Sequence, residues 1–327
     1  MIAPTPTALP VTRAADLDPR PPERRWLIEG LWGDEAVGIV GGEPKCCKSF
    51  LALDMAVAVA SGTPCLRRFA TARTGRVLLF AAEDALGVVR RRLDGITAAA
   101  GVELAALDLD VITAPSLRID KADDQARLAD TIDALRPTLL ILDPFVRLHR
   151  VDENVCSEVA PLLAYLRDLQ RRFALAVVVV HHARKGAGRV RAGQALRGSS
   201  EFHAWLDSAL FLRRSSDDAL TLTVEHRAEP SHGPIPVHLA ANGAALALAA
   251  EPAPARAASA TSAAPATVRL PAGRIESALA DLGGAATVDD LRVACRMRTQ
   301  TLCDALADLV RDGRVVKTLA GYQLAAP

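Results

Sequence analysis

The stretch GEPKCCKS, Gly42 to Ser49, holds all but one of the residues that a phosphate-binding loop needs. The pattern G-x-x-x-x-G-K-[ST] is met at Gly42, Lys48 and Ser49 and broken at Cys47, where glycine is expected. In such a loop successive backbone N–H groups, ending at a helix N-terminus, converge on the β- and γ-phosphates. The lysine adds a mobile charge and the hydroxyl serves a magnesium ion. Cysteine brings a small side chain with no charge and no branched carbon, so the amide donor survives at the cost of local strain. Gly42, Glu43, Pro44, Lys45, Cys46, Cys47, Lys48, Ser49 and Phe50 are therefore the expected nucleotide contacts, with ATP and Mg2+ as the ligands. Two other readings exist: a glycine-rich strand-to-helix turn with no ligand, and a redox or metal switch built on Cys46 and Cys47. The placement of Lys48 and Ser49 favours the phosphate reading.

Three further strand ends carry polar tips. TLLILDP runs apolar into Asp143, about a hundred residues beyond the loop, in the form of a carboxylate that holds the magnesium shell together with Ser49. RVLLFAAEDA ends in Glu83 and Asp84. The C-terminal ends of parallel strands line such a site, so Glu83 is placed to orient or deprotonate the attacking water, while Asp84 suits a cap on the following helix. AVVVVHHARK ends in His181 and His182, a polar tip able to sense the γ-phosphate or simply to bond nearby backbone.

These residues need a sheet to carry them. Short apolar runs alternate with helical patterns from Trp26 onward: AVGIVGG, FLALDMAVAVASG, RVLLFAAED, DALGVVRRRLDGITAAAG, LDVITAP, DDQARLADTIDALRP, TLLILDP, SEVAPLLAYLRDLQRRF and ALAVVVVHHARK. Such alternation predicts an α/β fold with a mostly parallel sheet covered by helices on both faces. Beyond Arg197 the runs DSALFLRRSS, ALTLTVEHRAEP, PIPVHL and AALALAAE read as antiparallel hairpins extending one edge. Residues 1–25 form a Pro/Arg-rich lead-in, 26–249 the ATPase domain, 250–268 an Ala/Pro-rich linker, and 269–327 a small terminal unit. That unit reads as three helices, the second capped by Thr287, then a β-ribbon, which is the order of a winged helix-turn-helix.

Composition narrows the rest. The 39 basic and 38 acidic residues nearly cancel, so contact with a polyanion has to come from local patches. Six cysteines show no disulfide or zinc spacing, and no apolar run is long enough to span a bilayer, so a cytoplasmic protein with no membrane partner is expected.

The set GGEPKCCKS, FAAED, LLILDPFVRLHRVDEN, VVVVHHARK, RGSSEFHAWLDSAL and VEHRAEP resembles the RecA-type ATPases of the RepA-like group, which includes hexameric plasmid replication helicases. The likeness runs from about Trp26 to the region of Leu239. It implies a RecA-like core, a ring, often hexameric, of identical subunits, ATP hydrolysis at their interfaces, and movement on single-stranded DNA. Carried over residue by residue, Lys48 and Ser49 resemble the phosphate and magnesium contacts, Glu83 the catalytic glutamate, Asp143 the metal-holding acid and His182 the sensor. Related rings place a Lys-x-Arg pair on a late strand that reaches into the neighbour's site. Here Glu225-His226-Arg227 stands in that place, so Arg227 keeps the arginine, with Arg197 the second candidate for a role in trans. In such a ring Arg184, Lys185, Arg189 and Arg191 would face the channel and follow single-stranded DNA. On the terminal unit Arg296, Arg298, Thr299 and Gln300, with Arg314 and Lys317 on the wing, stand where this architecture meets duplex DNA. The rival to a motor is a slow ATP-dependent DNA-binding regulator or replication accessory factor.

Overall fold

The computed structural model describes residues 11–16, 25–182, 201–215, 219–242, 245–251, 271–295, 299–318 and 320–325. The chain divides into two compact units, Met1–Pro254 and Ala255–Pro327. In chain order the first holds β1 (Trp26–Ile28), β2 (Trp32–Gly33), β3 (Val37–Gly42), α1 (Lys48–Ser61), β4 (Val77–Ala81), α2 (Leu86–Ala100), β5 (Leu109–Val111) and α3 (Ala122–Leu135). It continues with β6 (Leu139–Asp143), α4 (Cys156–Phe173), β7 (Ala176–His182), α5 (Glu201–Trp205), β8 (Ser208–Arg214), β9 (Leu220–His226), β10 (His232–Asn242) and β11 (Ala245–Ala250).

A nine-stranded sheet runs β11-β10-β9-β8-β3-β7-β6-β4-β5. The wholly apolar runs become its central strands, because a strand covered on both faces has no polar side to present. On one face α1 and α2 bury Leu51, Met55, Val59, Val89, Leu93 and Ile96. On the other, α3, α4 and α5 bury Leu128, Ile132, Leu162, Leu166 and Phe202. The α/β class and the mostly parallel sheet agree with the RecA-like expectation.

Ser208–Arg214 opens the antiparallel hairpins as expected: β8 pairs antiparallel with β9, and β10 and β11 continue the meander to the sheet edge. On its other side β8 lies parallel to β3, from Gly38↔Ser208 to Gly42↔Leu212. β3 therefore sits between two parallel partners. A Cβ on Gly38 would lie 1.7 Å from the Ser208 carbonyl oxygen, so glycine is what permits the approach.

Helix α1 is apolar nearly all round, as a helix sunk into a core must be. Its exception is Asp54, with no exposed surface. The Asp54 carboxylate accepts from the Leu66 backbone N–H at 2.6 Å and pairs with Arg67, tying the turn after α1 to the helix that carries the loop. Burial pushes the Asp54 pKa up, while Arg67 and the Leu66 amide pull it back.

The second unit holds α6 (Pro271–Leu282), α7 (Val288–Cys295), α8 (Thr299–Arg311), β12 (Val315–Thr318) and β13 (Gly321–Leu324). Its core is Ile275, Leu279, Leu291, Leu302, Leu306 and Leu309. The Thr287 hydroxyl accepts from the Asp290 amide at 3.2 Å, and the Asp290 carboxylate accepts from the Thr287 amide at 3.0 Å, a reciprocal cap at the start of α7. The antiparallel β12–β13 ribbon is joined by Ala286, which exchanges backbone hydrogen bonds with Tyr322 at 2.8 and 2.9 Å. No helix among the described residues is long and apolar enough to cross a membrane.

Removing Asp54 leaves the Arg67 guanidinium partly buried without its counter-charge. Asp54→Ala is expected to destabilise the first unit by roughly 3–5 kcal/mol. Urea unfolding followed by circular dichroism checks this, and a loss below about 1 kcal/mol would mean that the pair is no clamp.

Candidate active site

The sheet brings the polar tips together. β3, β4, β6 and β7 are parallel, and their register pairs Gly42 with His182 and Ala81 with Asp143, so the phosphate loop, Glu83 and the two strand tips share one sheet end. A cavity of about 310 Å³ opens there, lined by residues 45–50, Glu83, Asp84, Arg92, Asp143, Pro144, Val180 and His182. Of the expected nucleotide contacts, Gly42, Glu43 and Pro44 are not among the lining residues.

Gly42 leaves β3 at φ 154°, and a Cβ there would stand 2.3 Å from the Leu212 carbonyl oxygen and 2.6 Å from the Cys46 sulfur. Lys45 and Cys47 both take positive φ, at 66° and 65°. Cys47 is the residue preceding α1, at ψ 25°, in the left-handed region that glycine fills without cost. For an L-residue that conformation costs roughly 1–2 kcal/mol, which is the strain expected from the broken motif. The Cys47 thiol lies 3.8 Å from Arg214 Nη2. Cys46 is buried, and burial raises its thiol pKa, which removes it as a reactive thiolate.

Lys48 is buried, and its ammonium donates to the Glu43 carbonyl at 2.8 Å, spanning the loop from inside. The Ser49 hydroxyl and the Asp143 carboxylate line the same cavity. Burial pushes the Asp143 pKa up to about 6; Asp84 and Glu83 add to the shift, and Ser49 and Lys48 oppose it. A hydroxyl and a partly buried carboxylate lining one cavity are hard oxygen donors, a set that fits a small divalent cation. Among the described residues no group of three or more His, Cys, Asp or Glu could hold a metal.

The other two carboxylates are engaged by arginines that the sequence did not single out. Glu83 Oε1 accepts from Arg147 Nε at 2.9 Å. Asp84 accepts from both Arg92 terminal nitrogens, at 2.5 and 3.2 Å, and the Arg92 guanidinium lies over the Phe50 ring at 5.2 Å. Asp84 does not cap α2 as expected: Ala85 holds the capping position without a side-chain bond, because Arg92, two turns into the helix, claims the carboxylate. Pairs eight and 64 residues apart leave no periodic trace in a sequence.

The histidines divide. His182 lines the cavity, whereas His181 is buried, stacked on Phe202 at 4.6 Å and edge-on to Phe145 at 5.9 Å. The alternation of a strand sends adjacent side chains to opposite faces.

Arg227 is elsewhere. Ser208 pairs with both Gly38 and His226, so Arg227 lies past the end of the sheet opposite the phosphate loop. Gly42 lies four residue steps along β3 from Gly38, roughly 13 Å. Arg227 donates to the Ala204 and Leu206 carbonyls and lies 3.6 Å from Asp207. It cannot serve the cavity of its own subunit. Arg184, Lys185, Arg189, Arg191, Arg197, Arg296 and Arg298 lie outside the described residues; Thr299 and Gln300 open α8. Arg314 pairs with Glu276 at 2.7 Å, and Lys317 lies over Tyr322 at 5.8 Å.

The chain matches the protein family described as AAA domain over residues 3–188. Among solved structures it is similar to the RadB recombinase, with 16% identity, 63% of this chain and 88% of that one covered, and a TM-score of 0.48. It is similar to a KaiC-like protein from the hyperthermophilic archaeon Pyrococcus horikoshii, with 13% identity, 69% and 94% covered, and a TM-score of 0.47. A DnaB-like replicative helicase, described with its interactions with primase, gives 13% identity, 62% and 55% covered, and a TM-score of 0.49.

Restoring glycine at the strained position relieves the left-handed cost but frees the unfolded chain. Cys47→Gly is therefore expected to raise stability by about 1 kcal/mol. A higher urea midpoint at unchanged slope would bear this out, and an unchanged or lower midpoint would show that Cys47 carries no strain.

Proposed function

The chain belongs to the AAA-domain family of ATPases, and on that premise we propose that it works as an oligomeric ATP-driven motor on DNA, of the RepA-like helicase kind. The observation that carries the proposal is the convergence of Lys48, Ser49, Glu83, Asp143 and His182 on one cavity at the ends of parallel strands.

In this reading the backbone N–H groups of Glu43 and of residues 45–49, together with the Lys48 ammonium, bind the triphosphate; Pro44 has no N–H to give. Ser49 and Asp143 hold a magnesium ion, which supplies charge neutralisation on the phosphates. Glu83 orients the attacking water. Its ion pair with Arg147 joins two side chains that are each more than two-fifths exposed, so it is weak and yields readily to a substrate. His182 reads the state of the γ-phosphate from the end of β7. The transition-state charge is met by Arg227 of a neighbouring copy, since its own cavity is out of reach, and Arg197 is the second candidate. A ring of subunits follows, with Arg184, Lys185, Arg189 and Arg191 tracking single-stranded DNA. The terminal unit serves as a winged helix-turn-helix on duplex DNA, where Arg296, Arg298, Thr299 and Gln300 stand before or at the start of its third helix.

A second reading, a slow ATP-dependent DNA-binding switch, is favoured by the left-handed Cys47 in the loop and by Glu225 at the place of the lysine. Both features weaken the case for rapid hydrolysis. ATP turnover with and without single-stranded DNA, together with strand displacement on a forked duplex, separates the two. Stimulated turnover with displacement supports the motor; DNA binding without either supports the switch.

Lys48→Ala is expected to abolish ATP-dependent phosphate release, and persisting turnover would show the site to be wrong. Glu83→Gln should keep nucleotide binding and lower kcat by roughly 10²–10⁴-fold. Arg227→Ala should bind nucleotide normally and lose on the order of 10³-fold in turnover. Mixing Arg227→Ala with Lys48→Ala subunits should then restore part of the activity, because some interfaces regain an intact loop facing an intact arginine. No recovery on mixing would remove the trans role.

A further inference from the structure

Building on the nucleotide site proposed above, we infer that Arg214 is a positioning residue that braces the phosphate loop against the strain of Cys47. The parallel pairing of β8 with β3, Gly42 opposite Leu212, carries Arg214 two residues past the end of β3 and alongside the loop. Its Nη2 lies 3.4 Å from the Lys45 carbonyl oxygen and 3.8 Å from the Cys47 sulfur. Lys45 and Cys47 are the loop's two non-glycine residues with positive φ. One guanidinium thus touches both strained residues of the loop.

The contact has a physical use. The loop binds phosphate only while its N–H groups converge, and that aim is set by backbone angles that Lys45 and Cys47 do not favour. Relaxation of either residue toward the right-handed or extended region would turn the adjoining peptide planes away from the ligand. Arg214 opposes this by setting one atom, the Nη2 of its planar guanidinium fork, against both the Lys45 carbonyl and the Cys47 thiol. Its own anchor is firm, because Phe211 and Leu212, which precede it on β8, are buried between two neighbouring strands. Were Cys47 a glycine, the left-handed turn at that residue would cost nothing and the brace would have Lys45 alone to hold. The loop defect and the arginine form one unit.

A double-mutant cycle on the full chain tests this, reading the dissociation constant of a fluorescent ATP analogue with magnesium. Arg214→Ala is expected to weaken binding roughly tenfold beside Cys47 but less than about threefold in the Cys47→Gly background. Arg214→Lys, which keeps a donor for the carbonyl but loses the fork, should fall between. Thermal unfolding identifies any variant that fails to fold, and Arg214→Lys and Arg214→Gln then carry the cycle in its place. Equal losses in both backgrounds would overturn the inference, since Arg214 would be acting on the phosphates directly. No loss in either background would overturn it as well. Lys48→Ala runs in parallel: analogue binding that survives it removes the nucleotide site itself, a failure that the Arg214 arms cannot imitate.

Discussion

A phosphate loop is only as good as the strand that launches it, and here that strand is held on both edges. β3 bonds in parallel to β7 and β8, and two of its three glycines bring backbone to within distances that no Cβ tolerates. Gly38 lets the Ser208 carbonyl close in, and Gly42 lets the chain turn against Leu212. The consequence reaches well beyond local packing. Fixing β3 fixes where α1 begins, and with it the direction of every amide between Glu43 and Ser49. The buried Asp54–Arg67 pair secures the same helix farther along, so the loop lies between two restraints: the sheet before it and a desolvated ion pair after it.

Much of this was legible in the sequence. Strands covered on both faces announce themselves as unbroken apolar runs, and their polar last residues mark the functional end of the sheet. Lys48, Ser49, Glu83, Asp143 and His182 could therefore be named before any coordinates, and the structure gathers them on one cavity. Thr287 could be named as a cap because its partner, Asp290, is only three residues away.

What escaped has a common cause. Arg147, Arg92 and Arg214 reach their partners through the fold and not through a repeating local spacing, and no sequence pattern records such a pair. The split between His181 and His182 was in principle available, because strand alternation alone puts one histidine in the core and one in the cavity.

The three carboxylates at the site show why their differing partners matter. Glu83, Asp84 and Asp143 cluster at the ends of β4 and β6, and unrelieved repulsion there would favour protonation. Two of them are neutralised by arginines: Glu83 by Arg147, and Asp84 by Arg92. Asp143 forms no ion pair among the described residues; burial and the neighbouring acids push its pKa up to about 6, with Ser49 and Lys48 opposing. The carboxylate left without an arginine is the partly buried one at the end of β6. Under the proposed function, a cation arriving with a triphosphate would meet in Asp143 an acid not already paired with an arginine, while the arginines on Glu83 and Asp84 would keep those two acids from competing for it. Glu83, at the exposed end of the cluster, would be able to turn toward water. The sheet register, Ala81 opposite Asp143, sets these positions.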